Sequence, residues 1–258
     1  DRKNPKGDQA KQVKPAQNEQ KSEQIQKALQ VQASPKDQKE IKGDQGKPAR
    51  QDRNTETEQF QSQPGNRIQW KGIFFSNTRE KENILRRCLV RNASTGILCI
   101  SSSPRIEECE ITENSTGIKI EGSFAKALVS GNSITKNKAA GIEITGSAQP
   151  IIEKNKITDN SHAGIVLVES SPNIYFNWIN RNKGPGISVR KSPAIILRNN
   201  IFDNQIDLSG EVSGTPVNAR DNWWGTVHVP EILAKIKGRV DINPILDGPS
   251  KGSKTIVV

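Results

Sequence analysis

The chain has 258 residues, a formal net charge of +10, 32% hydrophobic and 4% aromatic residues, three cysteines and no methionine. No apolar run approaches the roughly 18 residues of a membrane-spanning helix, and three cysteines give no strong redox signal. The positive charge favours acidic partners: anionic polysaccharide, lipid headgroups or, least of all given so few aromatics and no binding motif, nucleic acid.

Residues 1–65 hold 14 Gln, 13 Lys or Arg, 10 Asp or Glu and only 11 apolar residues. Such a segment buries too little apolar surface to offset the entropy of ordering, so a disordered arm is expected. Ile25, Ala28 and Leu29 make one helical stripe, too thin to fold alone. Basicity is spread rather than blocked, +3 in the arm and +7 in the remainder. The chain opens at Asp1 with no signal peptide in view, which fits an exported protein already trimmed of its targeting segment: periplasmic, cell-surface or extracellular.

From residue 66 to 247 three registers recur with one period. A ladder runs Cys88, Cys109, Asn132, Asn155, Asn177, Asn199, Asn222, in steps of 21 to 23 residues. A second Asn follows five residues on, at Asn114, Asn137, Asn160, Asn182 and Asn204. Gly-Ile pairs recur at Gly72, Gly96, Gly117, Gly141, Gly164 and Gly186. One shared period in three registers means a solenoid. The sequence predicts an all-β, right-handed parallel β-helix of about seven rungs, with Asn side chains one rung apart bonding to one another about 4.8 Å apart. Ile118 and Ile120, Ile142 and Ile144, Ile165 and Leu167, and Ile187 and Val189 then point inward at period two. The Gly before each Ile is read as a corner needing positive φ. Pro104, Pro150, Pro172 and Pro193 fall where strands begin and a missing N–H costs little.

At the C-terminal end, Val229 to Gly238 reads as a capping helix, with Pro230 at its start, Ile232, Leu233 and Ile236 on one face and Gly238 at its stop. Val240 to Ile242 is expected to add a last strand, and residues 248–258 to form a flexible tail. At the other end Ile68 to Phe75 supplies the first strands, with no evident cap above them.

Chemistry must then lie on outward columns. Two residues before the ladder these read Glu107, Ser130, Glu153, Tyr175, Leu197, Arg220; one after it, Leu89, Glu110, Ser133, Lys156, Trp178, Asn200, Trp223. Tyr175 and Trp178 are expected on one rung, with Glu153, Lys154 and Lys156 on the rung below and Arg198 and Asn200 above. Aromatic faces stack on sugar C–H faces while charges grip hydroxyls or carboxylates, so Tyr175, Trp178, Glu153, Lys156, Arg198 and Asn200 form a candidate sugar-binding strip. The alternative is rings packed beneath a loop.

No catalytic set, metal site or cofactor motif emerges. There is no Asp-Asp pair of the kind a two-carboxylate hydrolase needs, no Asp-Pro-His run, and no CxxC. The outward carboxylates are separated by serine rungs, too diluted for calcium. His162 and His228 lack an evident partner, and Cys88, Cys99 and Cys109 are expected buried as small hydrophobes.

The Asn-x-Ile-x-x-Asn rungs, the opening Trp70-Lys71-Gly72-Ile73 and the closing Asp221-Asn222-Trp223-Trp224-Gly225, with a short helix and Asn243-Pro244 beyond, resemble the bacterial right-handed parallel β-helix repeat of carbohydrate-binding proteins and sugar hydrolases. That class includes pectate lyases, polygalacturonases, alginate epimerases, phage tailspikes and surface proteins without assigned activity, so the resemblance implies the fold far more firmly than a function. The leading expectation is a non-enzymatic rigid scaffold or binding module in an envelope or extracellular assembly, with polysaccharide or neighbouring proteins as partners. The alternative is a lyase, hydrolase or epimerase acting on an anionic polysaccharide.

Overall fold

The computed structural model describes residues 70–78, 83–211 and 215–250 and the strand Thr255–Ile256. The expected arm, residues 1–65, lies outside them. The described chain winds as a parallel β-solenoid whose coils each contribute strands to three sheets, of eight, eight and six strands.

Sheet I contains Ile73–Ser76, Thr95–Ile100, Thr116–Glu121, Ile142–Thr145, Ile165–Val168, Pro185–Arg190, Ile206–Gly210 and Ile236–Lys237. Sheet II runs from Ile84–Arg86 to Val240–Asp241, and sheet III from Leu89–Arg91 to Asn200–Phe202. Stacked residues are partners in strict register: Ile118, Ile142, Ile165 and Ile187 form one inward column of sheet I. Ile106, Val129, Ile152, Ile174 and Ile196 line sheet II, and Ile111, Ile134, Ile157, Ile179 and Ile201 line sheet III. All are fully buried. At about 1.5–3 kcal/mol for each buried side chain of this size, these columns drive the collapse.

Asparagines complete the interior. The Oδ1 of Asn155 accepts both the backbone N–H and the side-chain amide of Asn132, each at 2.9 Å. Its Nδ2 donates to Asn177 Oδ1 at 3.0 Å and to the Val129 carbonyl at 2.9 Å. The same pattern continues through Asn177, Asn199 and Asn222. A second seam runs Asn114, Asn137, Asn160, Asn182, Asn204. A third corner, not anticipated from the sequence, carries serine contacts: the Ser170 N–H donates to the Ser192 hydroxyl oxygen at 3.1 Å, and the Thr78 N–H to that of Ser102 at 3.2 Å.

Nearly every ladder residue follows one with positive φ, among them Lys154 (55°), Phe176 (54°) and Arg198 (54°). These sharp corners cost about 1–2 kcal/mol each for residues with a Cβ, which the seam hydrogen bonds offset. The repeated glycines have a different reason from the one expected. Of the Gly-Ile glycines only Gly72 has positive φ; at Gly117 a Cβ would sit 2.4 Å from the Gly141 carbonyl oxygen, and at Gly141 2.8 Å from that of Gly164. They are there because consecutive coils touch through their backbones.

The prolines behave as expected, each just ahead of a strand, with Pro104, Pro150 and Pro172 still offering carbonyls to Leu128, Asn173 and Ile195. The C-terminal cap differs from expectation. The helix is only Val229–Ala234, with Ile232 buried and Leu233 exposed, while Ile236–Lys237 is a strand paired with Leu208 and Ser209. Helical spacing was outcompeted by an open sheet edge able to satisfy backbone groups. Residues after Gly248 are not wholly loose either: Ser250 is buried, and Thr255–Ile256 pairs antiparallel with Ile245–Leu246. Cys88, in the first described coil, is half-buried rather than buried, whereas burial pushes the Cys99 thiol up to about 12.

The second seam ends not on an Asn but on Asp207, whose Oδ1 accepts the Asn204 N–H at 3.1 Å and its Nδ2–H at 3.0 Å. Burial raises the Asp207 carboxyl to about 6.

Three outcomes test this interior. Asn155→Leu orphans the Asn132 N–H, one of its amide hydrogens and the Val129 carbonyl, and is expected to cost about 2–5 kcal/mol in chemical denaturation. Gly117→Ala, pressed against backbone that cannot yield, is expected to cost about 1–3 kcal/mol. Asp207 binds its proton more tightly folded than unfolded, so its contribution is full below about pH 4 and lost as pH rises through 6. Asp207→Asn keeps the acceptor without the charge, so melting curves should show a gain over wild type that grows across that window, reaching up to about 3 kcal/mol; a gain independent of pH would refute the assignment.

Candidate functional site

The outward columns follow the expected register. Glu153 pairs with Tyr175 and Tyr175 with Leu197 on sheet II; Lys156 pairs with Trp178 and Trp178 with Asn200 on sheet III. Trp223 continues the second column through a bridge to Asn200. Tyr175 and Trp178 therefore share a coil but not a face. The corner residues Phe176 and Asn177 separate them, Asn177 turned inward and Phe176 outward and 47% exposed.

That corner is the centre of the candidate site. Lys154, Phe176 and Arg198 hold the same left-handed position in three consecutive coils, which stacks them about 4.8 Å apart. Beside this ridge Trp178 is 39% exposed, and its ring meets Phe202 edge-on with centroids 5.3 Å apart and planes at 79°. Lys156 and Arg198 are exposed, and neither forms an ion pair among the described residues. Lys154 Nζ lies 3.3 Å from Glu153 Oε1, which also accepts the Ser130 hydroxyl at 3.1 Å. Two unpaired cations thus flank exposed rings.

Not all the expected members serve. Asn200 is buried: its Nδ2 donates to Ser250 Oγ at 3.2 Å and its Oδ1 accepts the Ser250 N–H at 2.7 Å. It is outward-facing, as the register required, but the C-terminal segment covers it, and nothing periodic in the sequence announced that cover. Tyr175 is half-buried on the neighbouring face and belongs to the rim. Phe202 was missed; it ends the second outward column of sheet III, after Thr112, Thr135, Thr158 and Asn180, and reading that column would have exposed it.

Several other charged groups are occupied. Arg86 and then Arg105 hydrogen-bond Glu107 and hold its carboxyl below the usual carboxylate range. Arg181 does the same to Asp159 with bonds of 2.9 and 2.8 Å, helped by the Thr158 hydroxyl. On sheet I, Lys119 lies 3.1 Å from Glu121 and 3.7 Å from Glu143, and Glu121 chiefly raises its pKa. His228 does have a partner, Glu231, at 3.2 Å. No group of three His, Cys, Asp or Glu among the described residues converges as a metal site, and no described helix is long and apolar enough to cross a membrane.

Among solved structures, the chain is similar to substituted forms of the periplasmic alginate epimerase AlgG. One single-substituted form shares 19% identity at a TM-score of 0.45 and the doubly substituted form 18% at 0.47, each over 67% of this chain and 44% of that one. Another single-substituted form gives 18% and 0.39 over 66% and 44%. The chain thus spans less than half the length of these structures. No curated protein sequence matches it. Residues 71–220 match the family described as right handed beta helix region, and the parallel coils agree: the chain belongs to the right-handed β-helix family.

Proposed function

We propose that this rod binds an anionic polysaccharide along the corner between sheets II and III, as a binding or scaffolding module of an exported assembly and not by turnover. The observation that carries the reading is the ridge itself: exposed Phe176 and Trp178 set between Lys154 and Lys156 on the coil before and Arg198 on the coil after. Rings stack on sugar faces and the cations meet carboxylates. Stiff stacked coils repeat these groups at a fixed pitch, which suits a polymer better than a small solute. Glu153 and Tyr175 border the track on the sheet II side. Exposed charges of this kind act within about 8–10 Å at physiological salt, so binding should weaken as salt rises.

Affinity electrophoresis through alginate, polygalacturonate and neutral dextran tests the proposal. Retention is expected on the two uronate polymers, falling with salt. Trp178→Ala should weaken it about tenfold, the loss of one stacked ring, and Arg198→Ala should flatten the salt dependence. Retention on none of the polymers, or unchanged retention in the double variant, would overturn it. Release of unsaturated uronate, or altered uronate configuration by proton NMR, would replace it with the enzymatic reading.

A further inference from the structure

A recess lies at the C-terminal end of the rod, between the last coil and the helix Val229–Ala234. Its volume is about 540 Å³, within the roughly 300–1,000 Å³ usual for small-molecule sites. Phe202, Trp223 and Trp224 supply aromatic walls, and Asp203, Asp207 and Lys235 line it together with Glu231 from the helix.

One buried donor in this lining lacks a partner, and one carboxylate oxygen keeps accepting capacity to spare. The Nε1–H of Trp224, a residue only 3% exposed, finds no acceptor among the described residues. Asp207, equally buried, spends one carboxylate oxygen on Asn204, and its other oxygen takes no hydrogen bond from any described residue. A donor and an acceptor held on aromatic walls match a polyhydroxylated ring, whose hydroxyls serve as both and whose C–H faces stack.

Charge narrows the class. Three carboxylates face one cation, and the Lys235 ammonium is itself committed to the carbonyls of Asn204 at 3.1 Å and Gln205 at 3.4 Å. A ligand carboxylate would enter a negative recess. The ridge has the opposite sign, and the two adjoin at Phe202, which lines the recess while its ring contacts Trp178.

We propose that this recess binds a single uncharged or amino-bearing sugar unit, to the exclusion of uronates, as a site separate from the uronate track on the ridge. It does not depend on the polysaccharide reading above.

Saturation-transfer NMR on the full chain with methyl glucoside, methyl glucosaminide and methyl glucuronide tests it. The first two are expected to bind and the third is not. Trp224→Phe keeps a smaller aromatic ring and removes the donor, and should weaken both about fivefold or more. Glu231→Gln, on the exposed helix where folding is not at stake, should lower the preference for the glucosaminide over the glucoside. Absence of binding by either uncharged or amino glycoside overturns the site, and equal binding of the glucuronide overturns its charge selectivity. Polymer retention lost with glucoside binding intact overturns the ridge alone; the converse overturns the recess alone.

Discussion

Everything in this rod depends on the buried asparagine amide. An amide offers two donors and an acceptor with two lone pairs, and burying it without partners costs more than a hydrogen bond returns. The solenoid solves this by supplying each Asn with another one coil away: Asn155 has both donor hydrogens and both lone pairs engaged by Asn132, Asn177 and the Val129 carbonyl. The arrangement is self-consistent only if each coil returns the chain to the same place. That requirement sets the 21 to 23 residue period, and it brings consecutive backbones so close at Gly96, Gly117, Gly141 and Gly164 that a methyl group has no room.

The inward demand has an outward consequence. To turn Asn177 inward between two short strands, the chain takes a left-handed step at Phe176 and throws that side chain out to solvent; Lys154 and Arg198 are thrown out by the same step on neighbouring coils. Corners therefore carry the most prominent side chains, held at fixed spacing by the seam beneath them. Paired charges occur on flat faces, as in Lys119 with Glu121 and Glu143, and at other corners, as in Arg181 with Asp159, and such pairs contribute little to stability at a surface.

Periodicity decides what was legible in the sequence. Inward isoleucines, both Asn seams and the registers of Glu153, Tyr175, Lys156 and Trp178 all repeat, so they could be read before any coordinates. Gly117 was read at the right position for the wrong reason, because sequence marks a glycine without saying whether torsion or proximity demands it. Asn200 was misjudged because its cover, Ser250, lies 50 residues away in a segment outside the repeat. Asp207 was invisible for the related reason that it occurs once: the second seam simply needs an acceptor after Asn204, and a residue three positions on supplies it. The helix was overextended because its apolar spacing was weighed without the open edge of Leu208 and Ser209 that captures Ile236.

The ends of a solenoid are thus where the repeat stops constraining residue choice, and there the chemistry becomes more varied. Within the coils an inward carboxylate would break a seam of amides. At the last coil Asp207 can be tolerated because it accepts and need not pass a bond onward, at the cost of a carboxyl that burial makes reluctant to ionise. The same freedom admits Trp224 inside and Trp223 at the margin, where interior coils place isoleucines and short polar side chains. The rod consequently combines two kinds of surface: a corner of regular pitch made by the repeat, carrying cations and exposed rings, and an irregular acidic recess made by the cap. Phe202 belongs to both, closing an outward column of sheet III and walling the recess, so the groups that terminate the fold also join its two surfaces.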